Sequence, residues 1–101
     1  MKFYSKVYPT GVPYIELVCD ATWHTFPELA EQLLKSIQAT DVQCITKGQV
    51  VDAHCYQFHW QGSQYQLFFD DWPHQCSIES LENEIGLGKL FTVLVRLEGD
   101  L

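Results

Sequence analysis

Between Gly48 and Gly88 the chain contains no lysine or arginine. The same span carries Asp52, Asp70, Asp71, Glu79, Glu82 and Glu84, and the whole chain has a net charge of −7. Nucleic-acid affinity rests largely on cations that neutralise phosphates, and anionic lipid surfaces attract polybasic segments. Both partners are therefore set aside. Long apolar runs are missing too. No stretch reaches the roughly 18 residues that a membrane span needs. "MKFYSKVYPT" has neither an uninterrupted apolar region nor a small-residue cleavage pattern, so it reads as an uncleaved start of a cytoplasmic protein. The four cysteines, Cys19, Cys44, Cys55 and Cys76, never stand two or three residues apart, which removes zinc-knuckle and dithiol spacings. In a reducing compartment they read as small buried hydrophobes. No Gly-x-Ser-x-Gly elbow, phosphate-cradling glycine loop or dinucleotide fingerprint is present. The expectation is a protein with no catalytic residues and no cofactor.

What is there is globular. Apolar residues make up 47% of the chain and charged residues 19%, well outside disordered composition. The 101 residues are enough for one domain, residues 1–101, with a stability of about 5–10 kcal/mol. Aromatics reach 14%, so rings should build much of the core.

"KFYSKVY" and "VPYIELVC" are apolar and β-branched around "PTG", which predicts a hairpin. "TFPELAEQLLKSIQA" predicts a helix. Thr25 and Glu28 form a capping box, Pro27 fits the first turn, and Phe26, Leu29, Ala30, Leu33, Leu34 and Ile37 make one apolar stripe. "VQCIT" reads as a short strand, turned at Lys47-Gly48 into "VVDAHCYQFHWQ". A Gly62-Ser63 loop would then pair Trp60 with Tyr65, Phe58 with Leu67 and Tyr56 with Phe69 on one buried face. The same register sets Cys55 opposite Asp70 and His54 opposite Asp71. "SIESLENEIG" can be a short helix capped by Ser77, or "CSIES" can be a strand. "KLFTVLVRL", apolar on both sides, predicts a central strand. The expected order is ββαβββαβ, an α+β domain with a mainly antiparallel sheet and its helices on one face.

"DDWPHQC", residues 70–76, concentrates the candidate chemistry. Two neighbouring strand carboxylates, Asp70 and Asp71, diverge to opposite faces and make a poor acid–base pair. Cys55 and His59 lie about 13 Å apart along a strand and cannot act as nucleophile and base. Cys19 could reach His24 only across a tight loop. Two readings remain. In the first, the chain is a protein-interaction module with an acidic surface. Its candidate contact residues are Phe68, Asp70, Asp71, Trp72, Pro73 and His74, and its partner is another protein or a second copy of itself. Trp anchors interfaces, although Trp72 can equally fold back over the sheet end. In the second, His54, Asp71, His74 and Cys76 hold a zinc-type metal, since these are the ligand types such ions take.

At "FFDDWPHQCSIES", and again at "TWHTFPELAEQL", the chain resembles a family of short, acidic, uncharacterised bacterial proteins of gammaproteobacteria. The resemblance implies a bacterial protein and assigns no activity and no functional residue.

Overall fold

Hydrophobic alternation along four long strands dictates the architecture. A computed structural model describes residues 1–46, 53–71, 74–82 and 84–100. Strands β1 (Lys2–Val7), β2 (Pro13–Val18), β3 (Thr40–Cys44), β4 (Ala53–Trp60), β5 (Ser63–Asp71) and β6 (His74–Ser80) form one antiparallel sheet in the order β1-β2-β6-β5-β4-β3. Helices α1 (Phe26–Ser36) and α2 (Ile85–Arg96) complete it. Phe3, Ile15, Leu17, Ile78, Leu67, Tyr65 and Phe58 point to one side of the sheet. There they join Phe26, Ala30, Leu33 and Leu34 of α1 and Leu87, Leu90 and Leu94 of α2 in one core. Both helices thus cover the same face, and the α+β class is as expected. Among the described residues, no helix is long and apolar enough to cross a membrane.

The last two elements depart from expectation. Residues 74–80 are a strand and 85–96 a helix, so "CSIES" is extended and "KLFTVLVRL" lies largely in α2. Two physical reasons meet here. β6 already occupies the position between β2 and β5, which leaves no central place for another strand. Leu87, Leu90 and Leu94 recur at helical spacing and are the buried residues of α2. Gly86 does not end a helix. It lies in the first turn of α2, where a Cβ would collide with the Tyr65 hydroxyl, so only glycine lets the helix sit this close to the sheet.

The β4–β5 hairpin is also shifted. Its turn is Gln61-Gly62, with φ of 47° and 81°, the paired left-handed geometry that matches strand twist. Trp60 therefore faces Ser63, Phe58 faces Tyr65, Tyr56 faces Leu67 and His54 faces Phe69. The shift is two residues, so every side chain keeps its expected face. Asp70 lies opposite Ala53, and Cys55 opposite Phe68. Lys47-Gly48 lies outside the described residues.

Helix α1 begins without its capping box. Thr25 makes no side-chain bond to the helix; its Oγ1 instead accepts from the Thr22 N–H at 2.8 Å. The C-terminal end is better satisfied. Gln38 adopts φ 61°, and the Gln38 and Ala39 N–H groups donate to Lys35 and Leu34 carbonyls, a Schellman closure. The Trp60 indole Nε1 donates to the Ile37 carbonyl at 3.0 Å in the core. Trp60→Phe strands that carbonyl, and chemical denaturation is expected to record a loss of about 1–3 kcal/mol.

Candidate functional site

One end of the sheet gathers the polar residues that hydrophobic packing leaves over. β2 runs out at Val18, and the chain crosses residues 19–25 before entering α1. Trp23, in this crossing, stacks on His54 with ring centroids 4.8 Å apart, and its backbone N–H donates to Asp71 Oδ2 at 3.4 Å. His54 Nε2 lies 2.7 Å from the Trp23 carbonyl oxygen. The buried His54 ring also stacks on Phe26. His54 is therefore a structural pin that fastens the crossing to β4.

The four residues of the metal reading share this end of the inner face, but they do not converge. His54 is turned into the Trp23 contact and lies across from Phe69, and Asp71 lies across from His74. Cys76 is buried opposite Phe69. Among the described residues, no group of three or more His, Cys, Asp or Glu is placed to hold a metal ion.

The contact residues of the interaction reading divide between the two faces. Phe68 and Asp70 lie half-buried on the outer face, opposite Cys55 and Ala53. Asp71 and His74 are exposed at the β5–β6 turn. Trp72 and Pro73 lie outside the described residues.

Sequence reasoning weighed Cys19 only against His24 and missed its partners on β6. The β2–β6 pairing sets Ile15 opposite Ile78 and Glu16 opposite Ser77. Continued past Val18, where β2 ends, the same register sets Cys19 level with His74 and diagonal to Cys76 on the inner face. The Cys19 and Cys76 thiols are hydrogen-bond partners, and His74 also hydrogen-bonds to Cys19. The bond from Cys76 is the main force that lowers the Cys19 thiol to about 6. Burial works against it, while the Ala21 backbone and the charge and hydrogen bond of His74 work with it. The Cys76 thiol is pushed up, first by the same bond and then by burial. The couple is polarised, with the Cys19 thiol drawn down and the Cys76 thiol pushed up. Cys19 is half-buried and lines a groove of about 530 Å³ together with Asp20, Thr25, Glu28, Leu29 and Gln32. Fifty-seven positions separate the two cysteines in sequence, so only the β2–β6 pairing could have revealed the couple.

Residues 5–95 match the family model described as protein of unknown function, DUF3630, and the chain belongs to that family. Neither the curated proteins nor the solved structures provide a match.

Proposed function

We propose that this DUF3630 member is a bacterial, cytoplasmic protein-interaction module that takes a basic protein partner on the outer side of β4, β5 and β6. The bacterial assignment, gammaproteobacterial in particular, follows the resemblance at "FFDDWPHQCSIES". The observation that carries the reading is the one-sided packing of the sheet. Both helices lie on the inner face, and Phe68 stands half-buried on the outer one, between buried Cys55 and Ser77. Around it stand Gln57, Gln66, Asp70, Gln75 and Glu79, with no lysine or arginine on these three strands. An apolar centre with an anionic, uncharged-polar rim suits a cationic partner and speeds its encounter. Asp71 and His74, exposed at the ends of β5 and β6, would add to the contact at its edge.

A second copy docked edge to edge is the weaker form of this reading. Edge strand β1 carries Lys2 and Lys6, and edge strand β3 breaks register between Thr40 and Gln43; both features discourage strand addition. The test is affinity capture from the source cell, followed by titration of the purified partner. Expected is a partner with a basic surface, bound at least tenfold more weakly by Phe68→Ala and progressively less as salt rises. Binding that ignores both Phe68→Ala and salt, or a monomer with no saturable partner, overturns the reading.

A further inference from the structure

We propose that Cys19 and Cys76 form a dithiol–disulfide couple, in which Cys19, on the wall of the groove, is oxidised by a hydroperoxide and buried Cys76 closes the bond. The two side chains already interact across the β2–β6 seam; closing the bond brings the sulfurs to about 2.05 Å, with the backbone beyond Val18, where β2 ends, adjusting to let them meet. They differ in the way the two steps require. Cys19 lines a groove that a small peroxide can enter, while Cys76 is sealed in the core at 2% exposure. The direction of the Cys19 thiol agrees, since the thiolate is the nucleophile and Cys19 is the sulfur drawn toward it. The groups facing Cys19 are Cys76 and His74 from β6, Asp20 beside it and Glu28 from α1.

The chemistry balances. The Cys19 thiolate attacks the terminal peroxide oxygen, the O–O bond breaks, and the alkoxide or hydroxide that leaves takes a proton from the medium. Sulfur is oxidised to the sulfenic acid, and the peroxide is reduced by two electrons. Cys76 then attacks the Cys19 sulfur, the S–O bond breaks, and the departing hydroxide takes up the Cys76 proton as water. Two equivalents of a low-molecular-weight thiol reverse the change, leaving as their own disulfide. The new bond would staple the end of β2 to β6 beside the groove.

The test treats reduced wild-type protein with hydrogen peroxide, removes the peroxide, unfolds the protein in denaturant, blocks the remaining thiols with N-ethylmaleimide, and maps chymotryptic peptides by mass spectrometry. Expected is a fall from four free thiols to two, with a Cys19–Cys76 linked peptide and Cys44 and Cys55 still alkylated. Cys76→Ser is expected to abolish the link and leave a sulfenic acid at Cys19 that dimedone traps. The wild-type map decides even if the variant fails to fold. Cys19 and Cys76 both recovered as alkylated thiols, under peroxide that oxidises free cysteine, overturns the proposal. So does a disulfide joining any other pair.

Discussion

Phe69→Ala is expected to remove about 3–5 kcal/mol of stability, a large share of the roughly 5–10 kcal/mol available to a domain of this size. Phe69 is fully buried. Its ring stacks on Phe26 with centroids 4.4 Å apart, and it meets His54 and His74 as well. Truncation therefore opens a cavity where α1, β4, β5 and β6 all meet, and none of these elements can close it alone. Urea denaturation checks this, since a fall in the midpoint at unchanged slope reports lost stability. A cost below about 1 kcal/mol would mean that the ring is not packed as described.

Leu90→Ala carries the next largest effect, about 2–5 kcal/mol, while Thr92→Ala should stay within about 0.5 kcal/mol. Leu90 is fully buried; Thr92 is exposed, with its hydroxyl donating to the Gly88 carbonyl at 3.1 Å. The contrast separates helix from strand. On a strand, residues 90, 92 and 94 would share one face, and a buried Thr92 would be costly to change. Comparable losses for the two variants would contradict α2.

Where sequence and structure agree, a local signal was strong. The first hairpin formed around Gly11 at φ 91°, and Pro13 begins β2, as a residue without a backbone donor should. The inward set of β4 and β5 was legible from alternation alone. Its register was not, because two turns one residue apart shift the pairing by two and so place the same side chains inside. The choice fell to Gln61, whose left-handed φ nothing in its identity announces. "KLFTVLVRL" failed for a related reason. An apolar run of that length fits a buried strand or a buried helix, and only the filled centre of the sheet decides. The expected His54–Asp71 meeting was lost with the register, and with it the metal reading. The Cys19–Cys76 couple was invisible because it depends on the pairing of β2 with β6, which no spacing in the sequence encodes.

The end of β2 makes one further demand that solution chemistry can examine. At pH 7 a thiol lowered from 9.0 to about 6 gains roughly ninetyfold in thiolate, yet loses roughly twentyfold in intrinsic nucleophilicity. Its rate at one pH is therefore a weak guide, whereas the midpoint of its pH profile is a direct one. Per-residue alkylation of the native protein by iodoacetamide, followed from pH 4 to 10 by mass spectrometry, reads that midpoint. Expected is a Cys19 midpoint near 6 with Cys76 untouched while the protein stays folded. A Cys19 midpoint at the ordinary 9.0, with Cys76 reacting alongside it, would contradict the placement of the two sulfurs on which the site is built.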